Sequence, residues 1–449
     1  MTDDRSDYVK ALLARETSPH LHSDSDKMIL AEHLLDSVGL PRDFCPLPWS
    51  HVMAERHREI KPCCRWQEND AAGNAIDSGG FPLHPEGKLD LHAVLNSEPY
   101  RQLRRAFMSG ERNPACHMCH EHESAGIPSY RTNKLLGYMW EPHELAAMKQ
   151  MAPDGSLHSW TMHWFDFRLS NICNFKCRMC GPGNSSRIAS EWDDLGLDYE
   201  INRPEDVQQW YDEFAKHISQ AKEIYFAGGE PLLMDTHWRI LDDLIAAGND
   251  EVSLSYSSNL STLTYRNRSI LDIWPQFKRV HIAFSVDHHG RGCEYIRHGL
   301  DWAQTVANMD AIRTACPRVH IRPTVTVSCY NVLDITSIID HFEGLGWLEG
   351  GHINMHHVDG LGWLSTQMLP QQLKLRANQR IDDWCSARGD HPATQGLRMV
   401  QGIMCERDTF DQHHKKFLSR TAQLDGYRGE QLSAVFPELW AGIMEAVHG

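Results

Sequence analysis

Ser170-Asn171-Ile172-Cys173-Asn174-Phe175-Lys176-Cys177-Arg178-Met179-Cys180-Gly181 is the stretch on which the reading of this chain turns. Its three cysteines, spaced CxxxCxxC, come directly after a β-rich run, HWFDFRL (163 to 169), and before a helical segment. Thiolates this close together on one tight loop can each take one corner of a cubane metal cluster, whereas a closed structural iron or zinc site normally takes four protein ligands. Cys173, Cys177 and Cys180 would therefore leave one corner open to a reaction partner. A zinc site completed by a His or Cys from elsewhere in the chain is the competing reading.

Five more β-rich runs follow: KEIYFA (222 to 227), VSLSYSS (252 to 258), RVHIAFSV (279 to 286), VHIRPTVTV (319 to 327) and HINMHHV (352 to 358). After one enlarged first connection their starts lie roughly 30 residues apart, the length of a βαβ unit. Segments between them, such as DTHWRILDDLIAAG and LDWAQTVANMDAIRTA, carry apolar residues at three- and four-residue intervals, as crossover helices do. The expected class is α/β, with parallel strands covered by helices. Pro323 lacks a ladder donor, so the fifth run should start late or bulge there. Beyond about residue 370 the chain reads as helices, for example QQLKLRANQRIDDWCSARG and GEQLSAVFPELWAGIMEAV, with no nameable chemistry.

The cysteine trio, the strand before it and the strands after it resemble the radical S-adenosylmethionine superfamily over about residues 160 to 360. That resemblance implies a partial (β/α)6 barrel with the cluster loop after its first strand, a site-differentiated 4Fe-4S cluster and S-adenosylmethionine. The cofactor's methionine amino and carboxylate groups would chelate the open iron, and its cleavage would release a 5'-deoxyadenosyl radical that abstracts a substrate hydrogen. The second run ends in Gly228, Gly229 and Glu230, where the family has its GGE motif. Glycines allow close backbone approach, and a carboxylate at a strand end can bond an ammonium, so Glu230 is assigned to the cofactor's amino group. Ser285 and Asp287 lie where related enzymes place ribose contacts, Asn259 faces the same cavity, and Arg297 is a further candidate. Met179 stands where an aromatic is common, and its thioether can cover an adenine face.

Ahead of these strands lie FCPLPWSH (Cys45), IKPCCRW (Cys63, Cys64) and NPACHMCHEHESAG (Cys116, Cys119), with one clear helix, LHAVLNSEPYRQLRRAFMSG, between the second and third groups. This resembles a twitch or SPASM-type module, placed here before the barrel rather than after it and with Arg58 where the module's turn commonly has Gly. The resemblance implies a second, auxiliary iron-sulfur cluster on Cys45, Cys63, Cys116 and Cys119, with Cys64 the alternate. A structural zinc site remains the other reading, because soft thiolates at CxxC spacing serve Zn equally well. His117, His120 and His122 could tune such a cluster, and His356 or His357 could line the substrate cavity, although most of the 28 histidines are expected to face solvent. The remaining cysteines (Cys293, Cys316, Cys329, Cys385 and Cys405) read as buried thiols.

The expected organisation is an N-terminal extension (1–40), an auxiliary cluster domain (41–150), the partial barrel (160–360) and a helical C-terminal extension (361–449). A formal charge of −16 disfavours general nucleic-acid binding. Arg101, Arg104 and Arg105 are one local basic candidate, better read as the solvated face of a helix. No apolar run is long enough to span a bilayer, and MTDDRSDYVK has no signal-peptide core, so a cytoplasmic, membrane-free protein is expected. The resemblance implies a peptide or protein substrate, or a small alcohol or carbohydrate, and a flavodoxin- or ferredoxin-type electron donor. The alternative class is a non-catalytic iron-sulfur or zinc-thiolate protein that transfers electrons or binds a partner.

Overall fold

The computed structural model describes residues 24–55, 60–66, 89–136, 142–199, 207–358 and 360–448. Residues 1–23 of the expected N-terminal extension, and Arg58, lie outside them. In chain order the described strands are β1 (His51–Glu55), β2 (Ile60–Lys61), β3 (Trp164–Arg168), β4 (Lys176–Cys177), β5 (Glu223–Phe226), β6 (Ser253–Ser258), β7 (Thr264–Tyr265), β8 (Arg268–Ser269), β9 (Arg279–Ser285), β10 (Arg297–His298), β11 (Val319–Val327) and β12 (Asn354–His357). The helices used below are α1 (Asp24–Val38), α2 (Glu98–Ser109), α3 (His117–Ser124), α4 (Tyr130–Leu136), α5 (Ser186–Asp194), α6 (Val207–Ala215), α7 (Asp235–Ala246), α8 (Gly290–Ile296), α9 (Trp302–Ala315), α10 (Ile335–Gly344), α11 (Gln371–Arg388), α12 (Thr394–Glu406), α13 (Phe410–Arg428) and α14 (Pro437–His448).

The chain divides into two compact units, Met1–Ser170 with Asn202–Tyr225 and Arg239–Val252, and Asn171–Ile201 with Phe226–Trp238 and Ser253–Gly449. The second unit carries β6, β9, β11 and β12 as neighbouring parallel strands in chain order. Along β9 every second residue is buried (Val280, Ile282, Phe284), and β6 and β11 follow suit with Leu254, Tyr256, Val325 and Val327. Such a side chain contributes about 1.5–3 kcal/mol when fully withdrawn from water, so a one-residue slip would expose the whole row. The opposite face is unusual for parallel strands, which are commonly apolar on both sides. It carries Ser255, Ser257, His281, Ser285, Thr324 and Asn354, all half-buried or exposed.

Pro323 neither delays nor bulges β11, which runs unbroken from Val319. The Thr324 carbonyl accepts from Val286 N at 3.1 Å, on the β9 side, so the donorless nitrogen of Pro323 points the other way. Pairing with β12 begins only at Thr324, so no ladder bond is lost.

In the first unit, β1 adds a parallel strand beside β3, in register from His51 opposite Trp164 to Glu55 opposite Arg168, and β2 closes that edge antiparallel. Sequence patterning missed both strands. Phe165 and Phe167 pack on Phe214 of α6. The expected single helix before the CxxC is two, Leu91–Leu95 and α2, because Pro99 starts a new helix after Ser97. Helices α1, α3 and α4 were also not foreseen.

The run RQLRRAF is not a solvated basic face. Arg104 is fully buried and donates to the carbonyls of Gly155 (2.7 Å), Pro48 (2.8 Å) and Leu95. Arg101 and Arg105 pair with Glu98. At the other end of the chain, Pro437 likewise splits one expected helix into Leu432–Val435 and α14. Among the described residues, no helix is long and apolar enough to cross a membrane.

Candidate functional site

The cluster loop is closed at its base before any metal is considered. Ser186 N donates to Asn171 O (2.7 Å), the Asn171 amide reaches Pro182 O (3.0 Å), and the Ser185 hydroxyl, which also caps α5, donates to Phe175 O (2.6 Å). β4 pairs antiparallel with β10, placing Cys177 opposite Arg297. The neighbouring Cys180 thiol lowers the pKa of Cys177, while Cys177 and burial together raise the pKa of Cys180. Burial pushes the Cys173 thiol up to about 12, and the charges that act on it are those of Cys177, Glu230 and Arg297. Three thiols, one carboxyl and one guanidinium therefore share one locality. Buried sulfurs whose thiolates need a counter-charge suit a soft cation, and the half-exposed Cys173 and Cys180 leave it approachable.

The Gly-Gly-Glu segment is locked onto this loop. A Cβ on Gly229 would lie 2.1 Å from Ile172 O, and Glu230 N donates to that same carbonyl at 2.7 Å. Gly228 has φ +104°, where side chains are strained. Glu230 is buried, with Oε1 accepting from the Ser258 hydroxyl (2.7 Å) and Leu232 N (3.2 Å) and Oε2 from Asn259 N (2.8 Å). Burial raises its carboxyl to about 6 against the pull of those donors. An ammonium group would supply the charge this carboxylate lacks.

Asn259 ties back to the loop through Asn174 Oδ1 (3.2 Å). Ser285 ends β9 half-buried, opposite Thr324 on the polar face. Asp287 is fully buried and engaged on both oxygens: Oδ1 accepts from Thr326 N (2.8 Å), and Oδ2 lies 2.6 Å from Arg297 Nε. Arg297 in turn points Nη1 at Cys177 Sγ (3.9 Å). The Asp287 carboxylate thus aims Arg297 at a cysteine sulfur, a role hidden from the sequence because it depends on the β4–β10 pairing. Met179 is half-buried, His356 is exposed and His357 half-buried.

The N-terminal cysteines form a second group. Cys45 and Cys119 are buried, and Cys63 and Cys116 pack against the same apolar cluster, which includes Phe44, Trp49 and Phe107. Burial raises Cys45, Cys63 and Cys116, each further raised by neighbouring sulfurs: Cys116 and Cys119 act on Cys45, Cys64 and then Cys45 and Cys119 on Cys63, and Cys63 and Cys119 on Cys116. Burial raises Cys64 as well, and the groups that act on it are Asp166, Arg168, Arg65 and the Tyr130 hydroxyl. Soft sulfurs that act on one another beside an apolar cluster are a donor set suited to a thiolate-bound metal centre.

The histidines beside the CxxC behave differently from one another. His120 is buried beside Asp43 (3.7 Å), whereas His117 is half-buried and His122 exposed. His51, His237 and His288 are also buried, exceptions to the expectation that most histidines face solvent. His51 bonds Pro62 O at 2.7 Å and is lowered to about 3 by burial. Of the five scattered cysteines, Cys405 is exposed and the other four are buried.

Residues 167–327 match the family model described as the Radical SAM superfamily. No curated protein sequence matches the chain. Among solved structures it is similar to native anSMEcpe with bound AdoMet, at 13% identity over 50% of this chain and 61% of that one, with a TM-score of 0.35. Streptococcus suis SuiB bound to S-adenosylmethionine matches at 12% identity over 67% of this chain and 63% of that one, with a TM-score of 0.32. TYW1 with a lysine-pyruvate adduct bound matches at 13% identity over 49% and 71%, with a TM-score of 0.28. The chain thus spans 61% of the length of the first of these structures.

Proposed function

We propose that this chain, a radical S-adenosylmethionine enzyme, binds a 4Fe-4S cluster through Cys173, Cys177 and Cys180 and modifies a peptide or protein by hydrogen abstraction. The cluster, when bound, supplies the electron that cleaves the cofactor to a carbon radical able to remove a substrate hydrogen. In this reading Glu230 receives the cofactor's ammonium, the Gly228–Gly229 backbone lets that cofactor approach the loop, and Asn259 and Ser285 offer polar contacts. Arg297, aimed by Asp287, donates toward Cys177 sulfur and stabilises its negative charge. Its burial beside Asp287 leaves that carboxylate engaged, so the ribose contacts rest with Ser285 and Asn259.

The observation that carries the reading is the meeting of three thiols and the Glu230 carboxylate across the Gly229–Ile172 approach. A peptide substrate is supported by the polar face of β6, β9, β11 and β12, whose hydroxyls, amide and imidazoles match the donors and acceptors of a polypeptide backbone. Cys45, Cys63, Cys116 and Cys119 are proposed to hold an auxiliary cluster, with Cys64 outside it. The test is anaerobic reconstitution, reduction with dithionite and measurement of 5'-deoxyadenosine. Wild type should form it and the Cys173/Cys177/Cys180 triple alanine variant should not; zinc alone at those sulfurs, with no turnover, would refute the reading.

A further inference from the structure

Helix α13 ends in a set of charges, largely withdrawn from solvent, that is directed at the cluster loop. Arg178, next to Cys177, has no exposed side-chain surface. Its Nε donates to Tyr295 O (3.1 Å), its guanidinium lies 3.6 Å from the Tyr295 ring centre, and its Nη2 donates to Asp425 Oδ1 (2.6 Å) and to Glu430. Lys176, on the other side of Cys177, pairs with Glu191 (3.0 Å), and Glu191 is held by Arg428 through two bonds of 2.7 and 3.0 Å. Glu191 and Arg428 are each 1% exposed. Gly429, at φ +67°, reverses the chain after α13. Glu430 is thereby turned back to meet both Arg178 and His298 Nδ1 (2.6 Å), which lies on the strand paired with β4.

Both neighbours of Cys177 are therefore tied to the end of one helix, 247 residues away in the Arg178–Asp425 case. Buried ion pairs are a poor route to stability, because apolar side chains of similar volume serve as well, and their best-attested use is to fix one register among several. We infer that the α13 terminus is a positioning clamp for the cluster loop, with Asp425, Arg428 and Glu430 acting on Cys177 through Lys176 and Arg178. The inference rests on the function proposed above. None of the three residues touches a reacting atom; they are positioning residues, and they set where the Cys177 sulfur stands relative to Cys173 and Cys180.

The test compares Arg428→Gln and Asp425→Asn with a surface control, Asp382→Asn, whose partners are Arg398 and Gln401 on the half-exposed α11–α12 surface. Amide exchange across residues 171–186 is read in the chain without metal, alongside the melting temperature. After anaerobic reconstitution, iron content, the electron paramagnetic resonance spectrum of the reduced cluster and 5'-deoxyadenosine formation are measured. Both clamp variants should raise loop exchange by about tenfold or more, alter the spectrum and slow cofactor cleavage by about 10–100-fold, as small displacements of reacting groups do. Arg428→Lys should recover part of each, and the control should match wild type. Lower melting with unchanged loop exchange, spectrum and cleavage would overturn the clamp. If wild type itself cleaves no cofactor, the proposed function fails, while the exchange measurement still decides the clamp.

Discussion

Glu230 shows how one buried carboxyl turns burial into ligand preference. Its pKa is raised from an ordinary 4.5 to about 6, so the neutral form favours the fold. That contribution is fully present below about pH 4.5 and is lost as pH rises through about 6. An ammonium ligand inverts the preference, because it needs the ionised form. Affinity for S-adenosylmethionine, followed by anaerobic titration calorimetry, is expected to fall as pH drops below about 6 and to lose most of this pH dependence in Glu230→Gln, with about tenfold or weaker residual binding. Gly229 is the geometric counterpart. With a Cβ placed 2.1 Å from a backbone oxygen, Gly229→Ala must push the strand end and the loop apart. Cofactor cleavage is expected to fall by about 100-fold or more, the scale of a misplacement near 1 Å, and cofactor affinity with it. Arg104 acts on folding alone. Arg104→Met would leave three buried carbonyls without their donor, lowering stability by about 3 kcal/mol in a denaturant titration without removing a metal ligand.

At the level of elements, short pairings decide more than long ones. The β4–β10 ladder is two residues on each side, yet it brings Arg297 to Cys177 and carries His298 to Glu430. Helix α9, by contrast, follows rules that are local in sequence. Asp301 caps it through Gln304 N (3.0 Å), so Asp301→Ala should cost about 1 kcal/mol and lower the melting temperature by a few degrees while leaving the cluster spectrum unchanged. The crossover helices α7 and α9 were legible because their apolar spacing is helical over a dozen residues or more. The two N-terminal strands were not, since β2 has only two residues and β1 is buried nearly throughout, giving no alternation to detect. Two expected helices were each split by a proline whose effect depends on where the preceding turn ends.

For the whole molecule, the expected metal inventory follows from two sulfur groups lying in different units of the chain. Fully loaded protein should contain about eight iron and eight sulfide per chain. The Cys173/Cys177/Cys180 variant and a Cys45/Cys63/Cys116/Cys119 variant should each lose about half, and only the first should abolish 5'-deoxyadenosine formation from the isolated, reduced protein. Cys64→Ala should leave the inventory unchanged, because Cys45 and Cys119 act on Cys63 whereas Asp166, Arg168 and the Tyr130 hydroxyl act on Cys64. Four iron lost with Cys64→Ala would reverse the ligand assignment.

Sequence alone determined the six parallel-type strand runs, the order of the cysteine trio and the Gly-Gly-Glu segment, and the grouping of the N-terminal cysteines. Each of these is written in residues a few positions apart, where spacing and periodicity carry the physics. Tertiary structure alone decided that Asp287 is paired with Arg297, that Arg104 is an interior donor, and that α13 reaches the cluster loop. These depend on charges meeting across as many as 252 residues, as Arg178 and Glu430 do, and no local pattern encodes a partner that only the folded chain brings within reach.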